Sequence, residues 1–355
     1  MNAIAVTGYF ATGSGAVYNL LQEYRSIDDG GMSAYEHIFL YDVNGVFDTI
    51  NRILYANSLY HSNAAINDFR REMRRLNDTD FGWFGGYRYR CGDRFMDIIE
   101  EFICDITEYR IDRDWYNTFQ CRKHTPERIL KDSAKVLFGR KKPDHTFGTE
   151  IQMAPDNRGE YSFASAEKLQ AAAKKLICNY IGIMYPDHGE RTVLLNHMVQ
   201  PPYVHHLQDY TPEELKLIIV DRDIRDQYIL NKYTDVRGGN TYPSDPDAFV
   251  RFIRSYRATE RPVSSERILR IQFEDLVYHY DGTVRRIEEF IGLRPEDHVN
   301  PGTLLVPQRS IKNTQLFAMC EQWRDEVEYI ARELPDMVYE FPYASTTSMN
   351  ELFDG

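Results

Sequence analysis

Cysteine is scarce in this chain of 355 residues: there are five, with neither a CxxC pair nor a Cys/His cluster at zinc spacing. A disulfide scaffold and a sequence-encoded zinc module are therefore excluded, no metal is expected, and a reducing compartment fits best. No lysine occurs before Lys123, so the first third carries its positive charge on arginines such as Arg25, Arg52 and the group Arg70, Arg71, Arg74 and Arg75. Long apolar runs are missing as well: no stretch approaches the roughly eighteen residues of a membrane helix, and the start MNAIAVTGYF lacks a basic segment ahead of an apolar one. A cytoplasmic protein with no transmembrane segment is expected. Positive charge is in deficit overall, with a net charge of −12, which argues against a nucleic-acid partner because such binders neutralise phosphates with clustered Lys and Arg. Any anion site must be local.

What is present is an ordinary globular composition, 43% hydrophobic and 27% charged, which rules out a disordered chain. Four short apolar runs read as strands: Ala3 to Thr7, Thr192 to Asn196, Leu217 to Val220 and Ile268 to Phe273. Near-continuous runs such as LIIV suit strands covered on both faces, so the expected fold class is α/β: a parallel central sheet flanked by helices. Helical spacing is clearest over Asp281 to Ile291, with Gly292 as a stop. Another helix is expected after Ser244 and Asp245, with Pro246 in its first turn and Phe249, Phe252, Ile253 and Tyr256 on one stripe read as core. Residues 50 to 157 lack a strand pattern and read as a helical insertion, either shaping an acceptor pocket or covering the sheet. The expectation is one domain spanning residues 1 to 355 with that insertion.

The first strand runs into Gly8-Tyr-Phe-Ala11-Thr12-Gly13-Ser14-Gly15, and Ala16 then opens a segment at helical spacing. Glycines let a loop curl so that successive N–H groups converge, and a helix start adds partial positive charge; together they form an anion site. Thr12 and Ser14 offer hydroxyl donors. Ser14 stands where an ATPase loop of the GxxxxGK[ST] type needs lysine, so ATP hydrolysis is disfavoured, and the dinucleotide pattern GxGxxG fails too. The core is therefore P-loop-like without being that of an ordinary ATPase.

A second segment, LKLIIV, runs into Asp221-Arg222-Asp223-Ile224-Arg225-Asp226. Ligands of open α/β sheets bind at the carboxyl ends of strands, which puts the planar fork of Arg222 where a phosphate would lie. The alternative is that Arg222 and Arg225 merely pair with the neighbouring aspartates. A third segment holds Phe273-Glu-Asp-Leu and, after a helix, Phe290-Ile-Gly-Leu. In this order and spacing the three resemble sulfotransferases that use 3′-phosphoadenosine 5′-phosphosulfate (PAPS). The resemblance implies a P-loop-like nucleotide-binding core, PAPS as donor, 3′-phosphoadenosine 5′-phosphate (PAP) as product, and a donor site built from Gly8, Ala11 to Ala16, Arg222 and position 230. It further implies that Pro307 to Asn313, with Arg309 and Lys312, is the basic loop over the 3′-phosphate.

Two departures stand out against that family. The loop has no Lys or Arg of its own, and Leu230 falls where a phosphate-binding serine is common, with Asn231 or Tyr228 as possible substitutes. Two residues compete as general base: His197 at the end of the strand TVLLN, whose ordinary pKa of about 6.5 suits the task, and Glu36, which matches the glutamate of sugar-sulfating branches. The implied activity is sulfuryl transfer to a hydroxyl of a carbohydrate or glycolipid acceptor. Alternatives are an ATP-dependent small-molecule kinase and a non-catalytic nucleotide-binding or scaffold protein.

Overall fold

The computed structural model describes residues 2–32, 35–80, 82–111, 130, 134, 137, 159–236 and 241–344. A five-stranded sheet forms the centre, built from β1 (Ala3–Gly8), β2 (Ile27–Asp28), β5 (Thr192–Asn196), β6 (Leu215–Asp221) and β7 (Ile268–Gln272). Its strand order is β2-β5-β1-β6-β7, and every pairing is parallel. Two further strands, β3 (Tyr109–Ile111) and β4 (Gly159–Tyr161), form an antiparallel pair apart from it.

Strand side chains alternate between two apolar layers. Ala3, Ala5, Val193, Leu195, Leu217 and Ile219 enter one cluster, whereas Ile4, Val6, Leu194, Ile218, Val220 and Ile271 enter another. This is the period-two pattern of a sheet covered on both sides, and it explains why the strands read as unbroken apolar runs. The first layer is completed by the helices Val46–Tyr55, Leu59–Asp78, Arg94–Ile106 and Ala166–Met184. The second is completed by Ser14–Gln22, Phe273–Tyr278 and Tyr280–Ile291. A third cluster joins Ile224–Val236, Pro246–Arg257 and the C-terminal helix Arg324–Glu333.

The expected strands are all present, with β6 extended by two residues at its start and one at its end. The two-residue β2 escaped notice because a pair of residues cannot display a period. The described part of the insertion is mainly helical but ends in the strand β3, and its Ile50, Phe69 and Phe102 pack in the same cluster as Ala5 and Leu217 of the sheet, so it covers one sheet face. Most of 112–158 lies outside the described residues, and Cys121 with it. No helix among the described residues is long and apolar enough to cross a membrane.

Candidate active site

Because the strands run parallel, the segments after β1, β5, β6 and β7 emerge on one edge of the sheet. They carry, in turn, the Gly8–Gly15 loop, His197, Arg222 and Phe273. The carboxyl edge of such a sheet is where ligands of α/β proteins bind.

Loop geometry depends on two glycines. A Cβ on Gly8 would stand 2.7 Å from the Val220 carbonyl oxygen, and one on Gly13 would stand 2.5 Å from the Phe273 ring. Gly13 also has φ +84°, a left-handed conformation that costs other residues energy. It caps the helix Ser14–Gln22, and the N–H groups of Gly13, Ser14 and Gly15 have no backbone acceptor among the described residues. Those donors, with the helix dipole behind them, fit an anionic group.

The two loop hydroxyls differ. Thr12 lines the cavity but is almost wholly buried, and its hydroxyl donates to the Tyr9 carbonyl at 2.8 Å, which braces the loop's shape. Ser14 lines the cavity, and its Oγ lies 3.2 Å from His197 Nε2. The other ring nitrogen of His197, Nδ1, lies 3.3 Å from Thr7 Oγ1. His197 sits at φ +50°, and burial pushes its pKa down to about 4, leaving a neutral imidazole between two hydroxyls.

Glu36 lines the same cavity. Its N–H donates to the Trp83 carbonyl at 2.7 Å, and the N–H of His37 donates to the Asn196 carbonyl at 3.0 Å, which ties this segment to the end of β5. The Glu36 carboxylate has no hydrogen-bond or ion-pair partner among the described residues, and burial pushes its pKa up.

Arg222 is buried, and its guanidinium donates to the Ala11 carbonyl at 3.2 Å and to the Asn313 carbonyl. It lies 5.0 Å from the centre of the Phe273 ring, and its Nε has no partner. Arg222 therefore clasps the glycine loop to the C-terminal basic segment, so the loop that lacks a cation has one behind it. Asp223 accepts from Arg225 and from the Tyr339 N–H, while Asp226 accepts from the N–H groups of Gln315 and Phe317. The pairing of Arg225 with Asp223 is the simpler alternative that the sequence left open; for Arg222 the partners are carbonyls.

Arg309 is exposed and Lys312 half-buried, next to Asn313, and neither side chain has a hydrogen-bond or ion-pair partner among the described residues. Leu230 packs against the third apolar cluster. Its proposed substitutes are engaged elsewhere: Asn231 bonds the Tyr242 backbone and Tyr228 the Ser244 carbonyl. Ala16 packs against the second cluster.

The cavity has a volume of about 570 Å³, in the range of small-molecule sites. Other walls were not legible in the sequence: Trp83, Gln200 and Tyr242 carry no motif. The helical stripe expected as core also divides. Phe249 and Ile253 are buried in the third cluster, but Phe252 and Tyr256 line the cavity.

Residues 4–297 match the profile of the Sulfotransferase family. The chain belongs to that family. Its fold is also similar, at 12% identity and a TM-score of 0.36, to the solved structure titled Sulfotransferase Domain from the Curacin Biosynthetic Pathway, covering 96% of this chain and 99% of that one. No curated protein matches the sequence. Membership makes the chain a sulfuryl-transfer enzyme; the glycine loop, Glu36 and His197 line one cavity, and Arg222 braces the loop from behind. Among the described residues no group of His, Cys, Asp and Glu is arranged to hold a metal ion.

Proposed function

We propose that this sulfotransferase takes PAPS as donor and moves its sulfuryl group to the hydroxyl of a small acceptor, with Glu36 as general base. The reading rests on one observation above all: an unpartnered carboxylate, Glu36, faces the same cavity as the free N–H groups of Gly13 to Gly15. Those N–H groups suit the phosphosulfate, and Arg309 and Lys312, without partners, suit a 3′-phosphate. The acceptor oxygen forms a bond to sulfur as the bond from sulfur to the phosphate oxygen breaks. Its proton passes to Glu36, and the electron pair of the broken bond stays on PAP, where the loop amides stabilise the charge.

His197 serves as a positioning residue in this scheme. With both ring nitrogens at hydroxyl groups and its pKa down at about 4, it is a weak base at neutral pH, but it fixes the direction of the Ser14 hydroxyl. The resemblance to sugar-sulfating branches points to a carbohydrate or glycolipid hydroxyl.

The test is a calorimetric titration with PAP and ADP, followed by single-turnover sulfation with Glu36→Gln. PAP is expected to bind more tightly than ADP, and the variant to bind PAP normally while losing about 10²- to 10⁴-fold in rate. Preference for ADP would sink the donor assignment; a wild-type rate in Glu36→Gln would remove the base.

A further inference from the structure

Five aromatic rings form a continuous arc on the cavity wall. Phe10 contacts Tyr242 with ring centres 5.7 Å apart, Tyr242 contacts Phe252 at 5.4 Å, Phe252 contacts Tyr256 at 5.8 Å, and Tyr256 contacts Tyr9 at 5.4 Å. Trp83, whose carbonyl accepts from the Glu36 N–H, joins the same cavity. Three of the six are largely open to solvent: Trp83 at 51%, Phe10 at 41% and Phe252 at 39%. Exposed rings gathered on one cavity are a ligand surface more than a core, since burying them against a partner removes apolar area from water.

Two tyrosine hydroxyls on this wall are engaged, and the lining adds the polar groups of Gln200, Thr241 and Tyr256. The Tyr9 hydroxyl donates to Glu260, the Tyr9 ring lies under the Arg257 guanidinium at 3.5 Å, and the Tyr242 hydroxyl accepts from the Phe10 N–H at 3.1 Å. Among the described residues the cavity has no Lys or Arg in its lining, and its single carboxylate is Glu36. A free saccharide needs several planar polar groups to replace the water on its hydroxyls, and an acidic one needs a cation. Aromatic faces outnumber the polar side chains here, no cation meets the second need, and Glu36 would repel an anionic acceptor.

We propose that the acceptor is an uncharged alcohol or phenol whose hydroxyl meets Glu36 while an apolar body, ring or chain, lies against the aromatic arc. This rests on the sulfuryl-transfer reading above and narrows its acceptor: a glycolipid or aryl alcohol fits, and a free or anionic saccharide does not.

The experiment titrates PAP-loaded protein with octyl glucoside, phenyl glucoside, glucose and glucuronic acid, which differ only in apolar body or charge around one sugar. At least one glycoside is expected to bind about tenfold or more tightly than glucose, with glucuronic acid weakest, because a stacked ring or buried chain contributes about 1.4 kcal/mol or more. The alkyl-to-aryl ratio identifies the body. Trp83→Ala and Phe252→Ala, both at exposed positions, are expected to erase most of that preference without changing PAP affinity. Glucose or glucuronic acid binding as well as the glycosides, or no glycoside binding to protein that does bind PAP, overturns the inference. If PAP itself fails to bind, the donor reading falls, and the same titration on ligand-free protein decides the acceptor by the same ratio.

Discussion

His197 Nε2 stands 3.2 Å from Ser14 Oγ, so the end of β5 reaches across to the first residue of the helix that follows the glycine loop. The contact ties the strand end to the glycine loop. With Thr7 held at the opposite ring nitrogen, the imidazole has no lone pair directed at an acceptor. His197→Asn, which keeps a polar side chain and tolerates the left-handed backbone, is expected to weaken PAP binding by roughly fivefold through loss of one hydrogen bond. The acidic limb of the pH–rate profile should stay where it is, since it belongs to Glu36. Disappearance of that limb in His197→Asn would make the histidine the base.

Gly13 tests the loop. Alanine there would need φ +84° and a Cβ 2.5 Å from the Phe273 ring, so Gly13→Ala is expected to lower stability by about 1 to 3 kcal/mol and to cut PAP affinity. Gly15, whose Cβ would meet nothing, provides the control: Gly15→Ala should fold with wild-type stability by thermal melts. Equal melting temperatures for Gly13→Ala and wild type would refute the packing argument.

Arg309 and Lys312 are separable from the rest of the donor site by ligand choice. Replacing both with alanine is expected to weaken PAP by about ten- to a hundredfold, the loss of one or two charge-assisted contacts, while ADP, without a 3′-phosphate, changes little. Parallel losses for the two nucleotides would show that the segment contributes general positive charge only.

Around Arg222, burial pushes the Glu274 pKa up to about 8 and the Asp226 pKa up to about 7. A carboxyl whose folded pKa lies above its unfolded value binds its proton more tightly in the native state. Its stabilising share is therefore complete below the unfolded value of about 4 and is lost as pH rises through the folded value. Stability is expected to decline between pH 5 and 9 on this account. Glu274→Gln, which keeps an acceptor for the Asp223 N–H, should make the decline shallower. Melting curves at pH 5, 7 and 9 with identical slopes for the two proteins would rule it out.

Strand positions and their parallel arrangement were legible because LKLIIV and its counterparts are apolar without alternation, as both faces are covered. The glycine loop was legible too, since only glycine serves at Gly13. What periodicity could not separate was Phe249 from Phe252: they lie on one helical stripe, yet the first enters the core and the second faces the cavity. Trp83 and Tyr242 carry no local pattern at all. Their place at the site follows from the packing of the 35–106 layer on the sheet and from Asn231 bonding the Tyr242 backbone.

By itself the sequence determined the sheet, the glycine loop and the family, because each is encoded in contiguous residues whose backbone needs are local. Tertiary structure decided what those residues touch: Arg222 clasps two loops, Thr12 bonds the Tyr9 carbonyl and Glu36 opens on an aromatic wall. Such roles depend on neighbours up to some two hundred positions away along the chain, as from Ala11 to Arg222, and no local pattern records them.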